Sequence, residues 1–245
     1  MKLIQTLINS LEMKGRKFLQ MAGVPLDLEP NEHDVLVPIC HLRPYNLADI
    51  QKHLLSLNAQ DRYLRFGYAA SDEHITNYVR SLNFERDDIY GIFNRDLQIL
   101  AMAHLAIHTQ LHADSNQHIS AEFGVSVHAS ARGRGYGYQL FNRALMHARN
   151  AKASTILIHA LSENAPMLKI ARKAGATLKR DGAETQALLT VPKGNLKSRL
   201  AEIFTDQYAQ TNYSIKEDVK NFWYFLRQVQ EIRRGVQAGR HQSAE

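Results

Sequence analysis

The chain has 245 residues, of which 44% are hydrophobic and 22% charged, and these are ordinary values for a globular protein. Its single cysteine, Cys40, excludes an intramolecular disulfide framework and is typical of proteins in a reducing cytosol. The formal net charge of +6 permits an anionic ligand, but such moderate basicity is weak support for nucleic-acid binding. We therefore expect a cytoplasmic protein with one good-sized domain and helical extensions.

The first 33 residues predict an amphipathic helix and a linker. Ile4, Leu7 and Leu11 recur at helical spacing with polar residues between them, whereas a signal peptide needs a continuous apolar stretch. The segment "GVPLDLEPNEHD" that follows is rich in proline and acidic residues, as linkers are. The sequence contains no apolar run of 18 or more residues, so it predicts no transmembrane helix.

Residues 34–192 predict a mixed domain of strands and helices. "VLVPICHLRP" reads as a strand, and Asn46 and Ser71 are typical residues at the N-termini of helices. A hairpin with its turn at residues 94–96 and the strand "ISAEFGVSV" follow. The strand "STILIHAL", a helix over residues 164–174, and the strands "ATLKRDG" and "ETQALLTVP" complete the order β-α-α-β-β-β-α-β-α-β-β.

Residues 193–245 predict a helical extension with a basic tail. Ser214 and Glu217 form a capping box that predicts the start of a helix, and Gly235 predicts its end. An apolar stripe follows the cap: Ile215, Val219, Phe222, Leu226 and Val229. Two interpretations stay open, because the stripe can pack on its own domain or the N-terminal helix, or can pair two chains in a homodimer.

The stretch "SVHASARGRGYGYQLFNRALMHARN" is the strongest candidate for a ligand site. It is not a dinucleotide fingerprint, because Tyr138 replaces the third glycine, and it is not a P-loop, because no lysine follows. Arg132, Gly135 and Gly137 instead form R-x-x-G-x-G before a helix with an apolar face. Glycines let backbone N–H groups converge on an anion, and the helix directs its positive end at the same place. Without its context the stretch is equally compatible with a basic turn.

The surroundings of this loop resemble the GCN5-related N-acetyltransferase (GNAT) family. The strand "AEFGVSV" precedes the loop, and in "SENAPMLKIARKAGATL" Asn164, Met167 and Gly175 stand at the spacings of the family's asparagine motif. "HLRPYNLADIQKHLLSLNAQDRYLRFG" is similar to the opening strand and helices of protein-lysine-acetyltransferase-like members. The resemblance covers residues 35–191 and implies an α/β (α+β) fold: a mixed, mostly antiparallel seven-stranded sheet flanked by helices. It does not cover the helical extensions predicted at both ends.

The resemblance also implies acetyl-CoA as co-substrate. In the family the glycine loop holds the pyrophosphate, the fourth strand offers backbone groups to the pantetheine arm, and the asparagine helix lies beside that arm. The positions of this chain that match are Val125, Ser126, Val127, Arg132, Gly133, Arg134, Gly135, Tyr136, Gly137, Asn164 and Met167.

Glu122 is the candidate general base for acetyl transfer to a primary amine, either of a small molecule or of a protein lysine. An ammonium with a pKa near about 10.4 must lose a proton before it can attack, and several family members use a glutamate early on the fourth strand. A carboxylate in an apolar strand is costly unless it is hydrated, paired or functional. The alternative is that Glu122 simply faces solvent.

Ala171 departs from the family pattern, which often has a tyrosine there to protonate the departing thiolate. Ser162, Tyr136 and Tyr138 are the candidate substitutes. A thiol with a pKa near about 8.5 can leave unprotonated, so transfer is not excluded. A second hypothesis therefore stays open: a GNAT-fold acyl-CoA-binding regulatory module with weak or lost activity.

Two further features have competing interpretations. The histidines His104 and His108 suggest a metal, but four residues along a strand span roughly 13 Å, so one ion would not bridge them and we predict no metal site. The segment "DRYLRF", residues 61–66, borders the acceptor entrance if the family pattern holds. It is equally well a helix-to-core anchor with an internal ion pair.

Overall fold

The computed structural model describes residues 37–111, 117–194 and 196–242, so the predicted helix and linker of residues 1–33 lie outside the described residues. Seven strands form one sheet: β1 (Cys40–His41), β2 (Asp88–Phe93), β3 (Ile99–Leu111), β4 (Gln117–Val127), β5 (Thr155–Leu161), β6 (Thr177–Asp181) and β7 (Glu184–Thr190). The helices are α1 (Leu47–Leu55), α2 (Ala59–Phe66), α3 (Asp72–Arg80), α4 (Tyr136–Asn150), α5 (Ala165–Lys173) and α6 (Leu196–Gln242).

The strand order is β1-β2-β3-β4-β5-β7-β6, and β4 with β5 is the parallel pair among otherwise antiparallel described neighbours. The predicted mixed, mostly antiparallel seven-stranded sheet is therefore confirmed. The β4–β5 pairing is short, joining residues 120–122 to residues 155–157. Beyond it, β4 stays paired only with β3 and β5 only with β7. The two strands thus separate at Glu122 and leave a wedge in the middle of the sheet.

Helices cover the two faces of the sheet differently. Helices α4 and α5 pack on one face, where Phe123 of β4 meets Phe141 of α4 edge to face at 5.1 Å. Helices α1 and α3 pack on the other face with Ile50, Leu54 and Ile75 fully buried. Because side chains alternate along a strand, Ala121 and Phe123 enter the first core while Glu122 points to the opposite face.

Residues predicted to begin a helix, end a helix or form a turn do so in the structure at three places. The Ser71 side chain accepts a hydrogen bond from the backbone N–H of His74 and begins α3. Gly175 adopts a left-handed φ of 80° after α5, as predicted for a helix stop. The hairpin turn is also where it was predicted, because the Asn94 backbone N–H donates to the Gln98 carbonyl at 2.9 Å.

The predicted helix start at Ser214 and stop at Gly235 are wrong, because α6 runs without a break from Leu196 to Gln242. Ser214 is exposed in the middle of this helix, and an interior glycine costs only about 1 kcal/mol. The early part of α6 buries Ala201, Tyr208 and Ala209 against its own domain. Ile215 and Val219 of the predicted stripe are half-buried, and the side chains of the rest lie outside the described residues.

A partly buried ionic network joins α6 to α4 and β2. The Arg143 guanidinium donates to Glu202 at 2.9 Å and to Asp206 at 2.6 Å. The two ring nitrogens of His147 contact Asp88 and Glu202, each at 2.7 Å, so the ring is a cation that donates to both. Burial alone would lower the pKa of His147, but these two carboxylates outweigh it and raise that pKa to about 9.

In the parts of the chain that the structure describes, helices that are both long and apolar enough to cross a membrane are absent.

Candidate active site

The backbone of β4 directs unused polar groups into the wedge between β4 and β5. Antiparallel neighbours alternate between hydrogen-bonded and non-hydrogen-bonded pairs. The His128 N–H donates to the Leu100 carbonyl at 2.8 Å, and Ser126 pairs with Met102 two residues earlier. It follows that Ser126 uses its backbone groups toward β3, whereas Val125 and Val127 direct theirs at the wedge. On the same alternation, the Ile119 carbonyl of β4 accepts from the Ser154 N–H on the β5 side.

Ser126 therefore differs from its two neighbours. Its hydroxyl is 2.9 Å from Nε2 of His53, and Nδ1 of that ring is 3.0 Å from the Ile99 carbonyl. Nδ1–H donates to the carbonyl, so Nε2 accepts from the Ser126 hydroxyl. Burial lowers the pKa of His53 to about 4, which keeps the ring neutral. Sequence analysis did not reveal this buried pair, and a contact of Ser126 with the cofactor stays a prediction.

A cavity of about 310 Å³ opens at the wedge. It lies between the end of α2, the separated parts of β4 and β5, and the start of α5. Its lining includes the side chains of Arg65, Glu122, His159, Asn164, Met167 and Glu184. Phe123 and Val125 line it as well, so the backbone groups of Val125 face this space. Among the sequence-predicted residues, the structure thus brings Glu122, Val125, Asn164 and Met167 together.

Glu122 stands where β4 and β5 begin to separate. Its side chain is 48% exposed and its carboxylate is 4.0 Å from Nε2 of His108. Besides the wedge cavity, Glu122 lines an open cleft of about 570 Å³ on the same face, together with His108, Ser120 and Arg86. A hydrated carboxylate at the edge of a cavity can receive a proton directly or through water.

The glycine loop forms a turn with the backbone that its sequence predicts. Gly133 and Gly135 have left-handed φ values of 76° and 75°, which side chains with a Cβ rarely adopt. Gly135 is the N-cap of α4 and contributes no side-chain hydrogen bond, so the N–H groups of the first turn, including Tyr136, are available to an anion.

This loop is continuous with the wedge. A Cβ at Gly137 would come within 3.2 Å of Ile170 and 3.8 Å of Val127, so the absence of a side chain lets α4 approach both α5 and the end of β4. The positive end of α4 therefore lies next to the outer end of the wedge.

The two arginines of the loop have different partners. Arg132 forms an ion pair with Asp61 of α2, in which the aspartate side chain is 12% exposed and the arginine side chain 49%. Arg134 is exposed and donates weakly to the Ser130 carbonyl at 3.4 Å. The link from Arg132 to α2 was missed by sequence analysis, which had considered an ion pair only inside "DRYLRF".

Asn164 has two structural tasks at the cavity. Its side-chain oxygen accepts from the Met167 N–H at 3.2 Å and caps α5, while its nitrogen donates to the Leu64 carbonyl at 3.1 Å and fixes the end of α2. Met167 is buried beneath it. Asn164 thus fixes the start of α5 relative to the end of α2, the two helix ends that border the cavity.

Ala171 is fully buried in the core. The Ser162 hydroxyl donates to the Gly182 carbonyl at 3.3 Å and contacts Thr185 at 2.9 Å, which ties it to the β6–β7 hairpin. Tyr138 lies under the ammonium of Lys173, 3.9 Å from its ring centroid. The residues that line the wedge cavity include neither of these hydroxyl groups nor that of Tyr136.

The two arginines of the segment "DRYLRF" have different environments, and the segment's ion pairs run to Asp72 and Arg132 rather than within it. Arg62 is an anchor, because it donates to the Leu57 and Leu55 carbonyls at 2.9 Å and 2.7 Å and pairs with Asp72. Arg65 instead reaches the wedge cavity, and no feature of the sequence separated its role from that of Arg62. Within the described residues, His, Cys, Asp and Glu side chains do not group in threes as a metal ion would require.

Comparisons with known proteins agree with this geometry. The sequence profile of a family described as "Acetyltransferase (GNAT) domain" matches residues 40–177, more than half of the chain. The solved GNAT domain of S. lividans PAT is similar at 16% identity and a TM-score of 0.51, covering 62% of this chain and 89% of that one. At this identity the similarity concerns the fold.

Two further solved structures are similar at lower TM-scores. Spermidine N-acetyltransferase from Vibrio cholerae, in complex with CoA and spermine, is 16% identical with a TM-score of 0.48 and covers 62% of this chain and 94% of that one. Arabidopsis thaliana NAA60 in complex with acetyl-CoA is 10% identical with a TM-score of 0.48 and covers 62% of this chain and 97% of that one.

Proposed function

The chain belongs to the GNAT acetyltransferase family, and on that premise we propose that it moves an acetyl group from acetyl-CoA to a primary amine in the β4–β5 wedge, with Glu122 as general base. One observation carries the proposal. A single cavity joins the place where the strands separate, the Glu122 carboxylate and the free backbone groups of Val125, and the glycine loop adjoins it through Gly137.

The glycine loop would hold the pyrophosphate of acetyl-CoA. Supporting this are the left-handed Gly133 and Gly135, which let the chain turn around an anion, and the uncapped first turn of α4. Arg132 and Arg134 add charge-assisted donors beside that turn. The pantetheine arm would then run along the wedge as an added strand against Val125 and Val127, past Asn164 and Met167.

The chemical step is a direct attack. The amine nitrogen forms a bond to the thioester carbon while Glu122, directly or through water, accepts a proton from the nitrogen. The N–H of Val125 would donate to the carbonyl oxygen as negative charge develops on it. The C–S bond breaks next, and CoA leaves as a thiolate that takes its proton from water, since the described residues lining the cavity include no hydroxyl group and Ala171 has no proton to give.

Two further parts of the proposal concern the cellular compartment and the oligomeric state of the protein. Cys40 is the single cysteine of the chain and is buried as a free thiol, which supports a reducing, cytoplasmic environment. Association of two copies through the later part of α6 stays a hypothesis, and sedimentation equilibrium would measure it. A monomeric mass at micromolar concentration would exclude it.

The experiment that tests the function couples binding to transfer. Calorimetric titration should give one acetyl-CoA site per chain, and release of free CoA thiol should depend on an added amine. Binding without amine-dependent release for any amine would favour the acyl-CoA-binding module instead. Absence of binding would reject both.

A further inference from the structure

Arg65 lies on the floor of the wedge cavity in a position that a glycine makes available. A Cβ at Gly124 would fall 2.8 Å from Cζ and Nη1 and 2.9 Å from Nη2 of Arg65, so the guanidinium rests directly on the strand. Its cation also lies 5.2 Å from the ring centroid of Phe66 and 5.5 Å from that of Tyr78. These contacts hold the guanidinium between α2 and β4, where Arg65 lines the cavity.

A directed chain of hydrogen bonds leads away from Arg65. Its Nη2 donates to the Tyr78 hydroxyl at 3.0 Å, and that hydroxyl donates to Nδ1 of His104 at 2.8 Å. Nε2–H of His104 then donates to Asp87 at 3.2 Å. Arginine can only donate, and the chain runs in this direction when His104 is the neutral tautomer that carries its proton on Nε2. Desolvation, with the charge of Arg65 next, lowers the pKa of His104 in agreement with this.

The carboxylate at the end of the chain does not neutralise Arg65. Asp87 already receives two hydrogen bonds from the Arg86 guanidinium, at 2.7 Å and 2.9 Å, and a third from the Ile107 N–H at 3.2 Å. Among the residues that the structure describes, no Asp or Glu forms an ion pair with Arg65, and its buried Nε has no hydrogen-bond acceptor. A half-buried guanidinium without a counter-ion is costly unless a ligand supplies one.

We propose that Arg65 binds a carboxylate of the acceptor, which is therefore an amine that carries a carboxylate a few atoms from its amino group. This inference rests on the proposed function for the role of the amine. Arginine is well suited to the task, because its planar fork matches a carboxylate with two parallel hydrogen bonds.

The spacing of the cavity sets the size of such an acceptor. Glu122 and Gly124 are two residues apart on one face of β4, so the base and the guanidinium that rests on Gly124 stand about 7 Å apart along the strand. An ω-amino acid of the length of 4-aminobutanoate or 5-aminopentanoate spans this interval with its amine at Glu122 and its carboxylate at Arg65. A lysine beside an acidic residue in a polypeptide presents the same chemistry.

The test compares acceptors that differ only in the carboxylate. With saturating acetyl-CoA, kcat/KM is measured by release of CoA thiol for ω-amino acids from glycine to 6-aminohexanoate and for the alkylamine of matching length. Blocked peptides Gly-Lys-Glu-Gly and Gly-Lys-Gln-Gly form the polypeptide arm. We expect at least one carboxylate-bearing acceptor to exceed its match by about tenfold or more. The arm in which this occurs identifies the source of the carboxylate.

The Arg65→Gln variant should bring that ratio to about one by lowering kcat/KM for the carboxylate-bearing acceptor alone, while Arg65→Lys keeps part of the preference. Acetyl-CoA affinity, measured by calorimetry, should not change in either variant, which also verifies folding. If the wild-type protein prefers none of the carboxylate-bearing acceptors over its matched amine, the proposal is overturned whatever the variants show. An equal loss for all amines in Arg65→Gln would overturn it too, because it would place Arg65 at the thioester.

Binding of 5-aminopentanoate and of pentylamine, measured by calorimetry without acetyl-CoA, separates this inference from the proposed function. Tighter binding of the amino acid that Arg65→Gln abolishes, in a protein that transfers nothing, would keep the carboxylate site and reject acetyl transfer. Transfer to simple amines without any carboxylate preference would do the reverse.

Discussion

Arg132 of the glycine loop is held by Asp61, a residue of α2 with a side chain only 12% exposed. The arginine proposed to bind the pyrophosphate is therefore already paired with a carboxylate near the start of α2, the helix whose end borders the wedge cavity. A bound pyrophosphate would compete with Asp61 for the same guanidinium and would be repelled by the aspartate. The ion pair thus couples the cofactor loop to α2.

Asp61→Asn should bind acetyl-CoA more tightly, because the variant removes the charge that competes with the pyrophosphate for Arg132. We expect a gain of about two- to fivefold, since ion pairs at protein surfaces are weak. Calorimetry at low and high salt measures this, and the gain should shrink as salt increases. Asp72→Asn is the matched control, since Asp72 pairs with Arg62, away from the loop, and is 76% exposed. Weaker binding by Asp61→Asn would instead mean that the aspartate orients Arg132 for the phosphate.

Glu122→Gln should lower kcat by about 10²- to 10⁴-fold, the usual contribution of a general base, and leave acetyl-CoA affinity unchanged. The measurement is CoA thiol release with the acceptor that gives the highest kcat/KM. Glu184→Gln is the matched control, because Glu184 also lines the cavity but has no assigned role in proton transfer. An equal effect of both substitutions would show that only the charge of the cavity matters, and an unchanged kcat in Glu122→Gln would refute the base.

Ser126→Ala should reduce the free energy of unfolding by about 1–3 kcal/mol, because Nε2 of the buried His53 loses its hydrogen-bond donor. Urea denaturation measures the loss, and Ser130→Ala, at an exposed serine beside His128, should cost little. Acetyl-CoA affinity should stay the same in both. Weakened acetyl-CoA binding at unchanged stability would instead show that the Ser126 side chain contacts the cofactor.

Docking of α6 should weaken at alkaline pH. The pKa of His147 is raised from 6.5 to about 9, so its contribution to stability is fully present below pH 6.5 and is lost as the pH rises through about 9. The difference in Tm between the wild-type protein and His147→Gln should therefore shrink between these values. His159→Gln, at an exposed histidine, should leave the pH profile unaltered. A constant difference across that range would contradict a charged His147.

Patterns within short windows were enough to predict most of the fold. β7, predicted from the segment "ETQALLTVP", alternates exposed and buried residues from Glu184 to Thr190. The Ser71 cap and the Gly175 stop are likewise decided by a few neighbouring residues. The capping box at Ser214 failed because α6 is fixed by Arg143, His147 and their partners on distant elements.

The candidate site likewise combines features that neighbouring residues determine with features that depend on distant parts of the chain. Glycine conformation at Gly133 and Gly135 follows from residue type, so the loop could be predicted. The partners of Arg132, Ser126 and Arg65 come from elements far away in the chain, and no spacing rule connects them. For the same reason the different tasks of Arg62 and Arg65, three residues apart on one helix, emerge only when α2 is packed against β4.

Calorimetric titration of acetyl-CoA into the wild-type protein, Gly135→Ala and Gly135→Glu tests the central claim most directly. Both substitutions strain the left-handed backbone at residue 135, but only the second places a carboxylate at the N-terminus of α4. We predict that Gly135→Glu binds at least about tenfold more weakly than Gly135→Ala. Equal affinities for Gly135→Glu and the wild-type protein would contradict the assignment of this loop to the pyrophosphate.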